Sequence, residues 1–497
     1  MFEPLLHALP AAIAVKPLIG LAIGMIAGII VGALPGLSVV TGCALLIPFT
    51  FGLDPVTAMA LFAGMYNGGS YGGAITAILM RIPGTPGSVA TVWDGYPLTQ
   101  QGRASYALQI SVISGTVGSV ISAVSLILFT PPLSRFSLSF GPAETFWVAV
   151  FGLATVSSLL GANVFKGVAT AGLGLLIGTI GLDDLTGYER YAFDVPELID
   201  APSIIVVLTG LYAIPPVITL AGSTLKAGMS AAALRFTRQG AVLGEWRRFL
   251  PVWVRSSIIG IIIGILPGAG GAMTCIVAWN DARNRSKEPE TFGKGNPEGL
   301  AASECGNGAD NAASMIPAFT LGIPGSGVAA VILGGLLVHG LRPGPELFRT
   351  APDVPYAFMI HMLITALALP LFGGLLAVRV FGQALRLPPA LLAAPILILA
   401  TVGAYSVHSS AFDVWMMLGF GLLGFVMDRY GWPTAPLVLG VIVGPMAEQN
   451  LRLALGINLG DPSILWRSWI SIALIVVSAA AFVWPFLNRS RASMAKA

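Results

Sequence analysis

Apolar runs long enough to cross a bilayer recur along the whole chain. They lie roughly at 17–33, 55–80, 104–130, 142–162, 164–182, 201–223, 256–279, 299–341 with breaks, 354–376, 390–427 and 434–487, the last two each long enough for two crossings. A spanning helix needs a run of about 20 such residues, so the pattern predicts about 12 crossings and an all-α polytopic membrane protein.

The runs repeat. Gly28, Gly32, Leu34, Pro35, Gly36 and Cys43 recur in register as Gly260, Gly264, Leu266, Pro267, Gly268 and Cys275. Further on, Ile82-Pro83-Gly84-Thr85 recurs as Ile323-Pro324-Gly325-Ser326. The slightly larger offset of the second match is absorbed by a polar loop around 280–298. The chain therefore divides into a first transmembrane repeat (1–223), a basic cytoplasmic connecting segment (224–255), a second transmembrane repeat (256–487) and a cytoplasmic tail (488–497). Repeated halves with Gly/Pro-interrupted apolar segments in matching places are the pattern of secondary transporters, whose site lies at the repeat interface. Inverted repeats are expected by analogy with those transporters.

Composition narrows the class. The 497 residues carry only 26 Lys+Arg and 23 Asp+Glu, 55% are apolar, and the mean hydropathy is +0.84. A soluble enzyme usually has about a quarter charged residues. A net charge of +3 gives no reason to expect nucleic acid, and the excess basic residues serve better to orient loops. Lys226, Arg235, Arg238, Arg247, Arg248 and Arg255 stand against one Glu245, whereas Asp183, Asp184, Glu189, Asp194, Glu197 and Asp200 stand against one Arg190. Basic loops stay inside, so the first segment is expected in the cytoplasm, with the tail bearing Arg489, Arg491 and Lys496, and the second outside. Trp246, Trp253, Trp466 and Trp469 suit interfacial anchors, or pack against other helices. Met1 to Pro17 lacks the basic region and small-residue cleavage site of a secretory signal. Cys43, Cys275 and Cys305 have neither paired metal spacing nor an even count, and read as small apolar residues.

The chemistry is expected at the breaks. Pro35, Pro83, Pro267 and Pro324 lack a backbone donor, and Gly36, Gly84, Gly268 and Gly325 follow them, so each pair should end or break a helix inside the membrane. Freed backbone groups cost several kcal/mol unless a neighbour, water or ligand takes them, and half-helix ends attract ions. Asn67, Ser70, Thr85 and Ser88 in the first half, and Ser303, Asn307, Asp310, Asn311, Ser314 and Ser326 in the second, lie beside the breaks. They form either a substrate and ion cavity or merely kinked structural helices. Glu304 and Asp310 are candidates for Na⁺ coordination or proton carriage if they lie in the membrane, and are merely solvated if their stretch is an extramembrane loop. Asp94 reads as a turn-former and helix cap. The every-fourth-residue stripe Gly20, Gly24, Gly28, Gly32, Gly36 reads as a helix-packing face, with close approach to a ligand only near Gly36 and Gly268.

An enzyme reading exists but is weak. Gly68-Gly69-Ser70-Tyr71-Gly72 matches the G-x-S-x-G nucleophile elbow, with His339, His361 or His408 as base, yet that elbow needs a strand-to-helix turn and this match lies in an apolar run. The histidines show no metal-ligand spacing, and no phosphate-binding loop is present. No catalytic residue, transition metal or organic cofactor is expected.

Taken together, Gly32–Leu37 (GALPGL), Tyr66–Gly73 (YNGGSYGG), Ile82–Pro86 (IPGTP), Asp94–Pro97 (DGYP), Leu266–Gly271 (LPGAGG), Phe292–Gly295 (FGKG), Leu321–Ser326 (LGIPGS) and His339–Pro345 (HGLRPGP) closely resemble, in order, the large membrane subunit of the tripartite tricarboxylate transporters. The resemblance implies a multi-pass permease of the bacterial inner membrane. It implies as partners a small membrane subunit of about four helices and a periplasmic binding protein that delivers a carboxylate, with uptake driven by Na⁺ or H⁺ as coupling ion. A permease that works alone on a small organic anion is the alternative. The chain departs from the pattern where Arg81 replaces a usual asparagine before IPGTP, and where Gly308 follows Asn307 in place of a second asparagine. An arginine beside a broken helix is a candidate partner for the substrate carboxylate.

Overall fold

The computed structural model describes residues 3–34, 36–159, 164–183, 186–222, 242–268, 270–376 and 389–494. Pro35, Asp184, Lys496 and the stretch of the connecting segment bearing Lys226, Arg235 and Arg238 lie outside the described residues, as do the side chains of Arg489 and Arg491. The described chain is helical almost throughout. Its only strands among these residues are the two-residue β1 (Gly181–Leu182) and β2 (Glu189–Arg190), paired antiparallel. Among the described residues seven helices are long and apolar enough to cross a membrane, and shorter apolar helices accompany them.

The first half begins with α1 (Glu3–Ala12), α2 (Val15–Ala33) and α3 (Val39–Leu46). Then α4 (Pro55–Met80) starts sharply, because Pro55 sits in its first turn and the Asp54 carboxylate accepts from the Thr57 backbone N–H at 3.0 Å and its hydroxyl at 2.7 Å. It is followed by α5 (Thr91–Gln100), α6 (Ala104–Ser137), α7 (Pro142–Leu159), α8 (Val164–Gly178) and α9 (Ile204–Ala221). The second half comprises α10 (Trp246–Ile265), α11 (Gly270–Arg285), α12 (Pro297–Ala313), α13 (Met315–Leu321), α14 (Gly327–Val338), α15 (Leu347–Thr350), α16 (Asp353–Leu369), α17 (Pro389–His408), α18 (Ala411–Arg429), α19 (Ala435–Ile457) and α20 (Trp469–Met494).

Helices α4 and α12 are the buried centre. The former is buried from Thr57 to Leu79 and the latter from Gly299 to Ala313. Each has a glycine-bearing helix against it, α2 on α4 and α10 on α12. The α2–α4 seam is close enough to forbid side chains: a Cβ at Gly24 would lie 2.1 Å from the Leu61 carbonyl, and one at Gly32 2.2 Å from that of Gly69. Helix α4 answers with Gly64, Gly68 and Gly72, facing the Leu21, Met25 and Ile29 carbonyls in the same way. Without a hydrophobic drive between helices in lipid, backbone proximity of this kind is what associates them.

Around this centre the halves interleave. Helix α6 packs on α12 and α16 on α4; α9 packs on α17 and α18, while α19 packs on α7 and α8. Sequence and structure differ most at the start of α10. The run expected from 256 already begins at Trp246, because Arg247 and Arg248 lie on the first turn of α10 and Arg255 on its third, not in a loop. Arg248 pairs with Glu298 at 2.8 Å and Arg255 with Asp281 at 3.1 Å. Of the expected tryptophan anchors, Trp246, Trp466 and Trp469 are exposed, whereas Trp253 is buried and donates to Ser114 at 2.9 Å.

Candidate functional site

The two Ile-Pro-Gly breaks have one backbone geometry. Helix α4 ends on Arg81 at φ +62° and α13 on Gly322 at φ +73°, both left-handed. After each, a glycine N–H turns back to a helix carbonyl: Gly84 to Gly73 at 3.3 Å and Gly325 to Ser314 at 3.2 Å. Close approach requires glycine at both, since a Cβ at Gly84 would lie 2.2 Å from the Gly32 carbonyl and one at Gly325 2.6 Å from that of Gly264. In the second half the breaks also meet each other, the Gly268 N–H donating to the Gly325 carbonyl at 3.1 Å. Pro267 and Pro324 are buried there, while Pro83 is exposed and Gly36 faces the Leu220 side chain of α9.

Beside these breaks, facing sides of α4 and α12 form a buried polar cluster. The Tyr66 hydroxyl hydrogen-bonds both Ser314 and Ser326 at 2.9 Å. Ser70 donates to the Asn311 side-chain carbonyl at 3.2 Å, and the Asn311 amide donates to Asn67 at 2.9 Å. The Asn67 amide in turn donates to Thr365 of α16 at 2.7 Å. Positions three and four apart on a helix share a face, which is why Asn307, Asn311 and Ser314 point the same way. Asn307 lies against Gly87, where no Cβ would fit. Thr85 and Ser88 bond each other at 2.9 Å in the turn after the first break, which packs on α11 and α12.

The two acidic candidates are in the helix and not in a loop, so the solvated reading is corrected. Glu304 and Asp310 are each 2% exposed on α12. Glu304 accepts from Thr91 of α5 and, at 2.7 Å, from Ser111 of α6, with Ser303 alongside bonded to Thr91 at 3.3 Å. Asp310 accepts from Thr274 of α11 at 3.3 Å, next to the α10–α11 break. Asp94 is also reassigned. It is fully buried and shapes no turn of its own; its carboxylate accepts from the Trp279 indole at 2.7 Å and from the backbone N–H groups of Gly293, Gly295 and Asn296 at 2.8, 3.0 and 2.8 Å. That ties α5 to the chain that enters α12. Sequence reasoning missed Tyr66, Thr91, Ser111, Thr274 and Thr365. Their only signal is a hydroxyl in an apolar run, which many other positions share.

Two hollows adjoin the breaks. Arg81 is exposed, lies 5.9 Å from the Tyr96 ring, and lines a hollow of about 310 Å³ with Trp93, Trp279 and Gly293. A larger cavity of about 900 Å³ adjoins Gly322 and extends to Gly178 and Ala201, the two ends of the acidic hairpin segment. The G-x-S-x-G match does not form an elbow: Ser70 sits mid-helix and bonds Asn311, while His339, His361 and His408 bond Thr50, the Ala12 carbonyl and Asp413.

Helices of membrane-spanning length, broken at paired glycine-bearing turns around a buried polar cluster, define a multi-pass all-α membrane protein. The chain belongs to the tripartite tricarboxylate transporter TctA family, whose profile matches residues 18–439. It is 33% identical over 479 residues, 95% of this chain and 94% of the relative, to a protein of Agrobacterium vitis named "Uncharacterized 52.8 kDa protein in TAR-I ttuC' 3'region". A second protein of that organism, "Uncharacterized protein in TAR-II ttuC' 3'region", is 33% identical over 237 residues, 47% of this chain and 96% of the relative.

Proposed function

We propose that the chain is the permease subunit of a binding-protein-dependent secondary transporter that imports a di- or tricarboxylate across the bacterial inner membrane, driven by Na⁺ or H⁺. Its partners are a small membrane subunit and a periplasmic binding protein. The observation that carries this reading is the buried cluster of Tyr66, Asn67, Ser70, Asn311, Ser314 and Ser326 beside two helix breaks of the same geometry. A structural kink needs no such set of side chains. A carboxylate moving through it meets hydroxyl and amide donors, and Glu304 and Asp310 nearby supply the negative charge that a coupling cation requires.

Inverted repeats give the cluster two entrances. Helix α4 runs from Asp54, near His339, to Arg81, near Trp279 and Gly293; α12–α13 runs the other way, from Glu298 beside Arg248 to Gly322 beside Pro343. The acidic hairpin and the basic segment are separated by the single helix α9. With the basic segment and tail in the cytoplasm, the larger cavity faces outward and the Arg81 hollow inward. Alternating access then exposes the cluster to one at a time, and a cation promotes the loaded state only by binding it more tightly.

Uptake of labelled citrate and succinate into proteoliposomes holding this chain and its small partner tests the reading. Uptake that needs both the binding protein and one imposed gradient, Na⁺ or H⁺, is expected. Equal uptake without the binding protein would assign a stand-alone permease instead.

A further inference from the structure

The 900 Å³ cavity beside Gly322 is lined by three charged residues, Arg342, Glu346 and Arg349. Two guanidiniums against one carboxylate leave the lining net positive. Both arginines are exposed, and among the described residues neither has an ion-pair partner. The contrast with the nearby arginines is informative. Arg190 is held by Glu448 at 2.7 Å, and Arg452 by Asp183 at 2.6 Å and Glu448 at 2.5 Å, so Asp183 of the hairpin and Glu448 of α19 are taken up by other cations. The volume falls within the range of about 300–1,000 Å³ typical of small-molecule sites. Gly322 in the lining is followed along the chain by Ile323, Pro324, Gly325 and Ser326, and Ser326 already belongs to the polar cluster through Tyr66.

We infer that this cavity is a reception site for a di- or tricarboxylate, held by Arg342 and Arg349 before it passes the Gly322–Ser326 break to the cluster. The inference rests on the carboxylate reading above and adds to it the residues that first receive the substrate. Guanidinium forks match carboxylate geometry, and an acid with two or three carboxylates spaced along a short chain can engage both arginines, as a monocarboxylate cannot. Glu346, which also lines the cavity, disfavours anions that pair with only one arginine. Arg81 at the opposite hollow provides the same chemistry at the other break.

The test is arginine footprinting of the wild-type complex with its small subunit in phosphatidylcholine nanodiscs, where no anionic lipid competes. Phenylglyoxal modification of Arg342 and Arg349 is followed by mass spectrometry with citrate, succinate, acetate or no acid, and exposed Arg467 serves as the internal reference. Loss of one charge-assisted contact corresponds to about ten-fold in affinity. Saturating citrate or succinate should therefore slow both arginines several-fold relative to Arg467, and acetate should not. In reconstituted uptake at saturating loaded binding protein, Arg342→Gln and Arg349→Gln should each lower the rate roughly ten-fold, with partial recovery in Arg342→Lys and Arg349→Lys. Equal modification with and without the acids would overturn the site, even where wild-type uptake shows the transport reading to be sound. Protection without any uptake would keep the site and reject the transport reading.

Discussion

Arg81 holds a left-handed backbone at φ +62°, whereas Gly322 takes the matching place after α13 without a side chain. Left-handed geometry costs a non-glycine residue about 1–2 kcal/mol. A strain retained where glycine would relieve it marks a side chain with a use. Arg81→Gly should therefore raise the melting temperature of the purified protein while reducing uptake; a lower melting temperature, or unchanged uptake, would remove Arg81 from the pathway. Glu304 carries a different expectation. Glu304→Gln keeps an acceptor for Thr91 or Ser111, so the protein should fold but lose dependence of uptake on the driving ion. Glu304→Ala leaves buried hydroxyls without that acceptor and should cost about 1–3 kcal/mol. Both acids stand out in the sequence because ionisable groups are rare in apolar runs. Their partners Thr91, Ser111 and Thr274 do not, because which hydroxyl faces a carboxylate depends on helix rotation, and a one-dimensional pattern does not contain it.

Packing between elements rests on the absence of side chains. Gly28 lies under α4, where a Cβ would approach the Met65 carbonyl to 2.6 Å and the Gly69 nitrogen to 2.7 Å. Gly28→Leu should separate α2 from α4, destabilise by about 3 kcal/mol or more, and give little folded protein in size-exclusion chromatography. Gly52, with nothing within 4 Å of its would-be Cβ, should accept alanine with no change. The α2 stripe and its packing role are legible from spacing alone. Its partner is not, because Gly64, Gly68 and Gly72 sit among other small residues and only tertiary pairing singles them out. The start of α10 is hidden for a related reason: arginines near a segment end read as loop, although here the charges of Arg248 and Arg255 are neutralised by Glu298 and Asp281 on neighbouring elements.

Across the whole molecule, the sequence shows the doubled motifs, and the structure shows that their surroundings are interlocked. The crosswise pairing of α9 with α17 and α18, and of α19 with α7 and α8, means that neither half packs alone. In the proposed topology the larger cavity opens outward and the Arg81 hollow inward. A cysteine at Arg342 should accordingly react with an impermeant thiol reagent from outside the cell, and a cysteine at Arg81 only from the cytoplasmic side; the reverse pattern would invert the topology. The buried native Cys43, Cys275 and Cys305 should stay silent in that labelling. The central claim is that carboxylate crosses through the cluster of Tyr66, Asn67, Ser70, Asn311, Ser314 and Ser326. Its most direct test compares wild-type and Asn311→Leu protein in reconstituted uptake of labelled citrate and succinate, with the small subunit and loaded binding protein present and folding checked by chromatography. Removing the amide that bonds both Asn67 and Ser70 should cut the transport rate at least roughly ten-fold in a folded protein, and an unchanged rate would contradict the account.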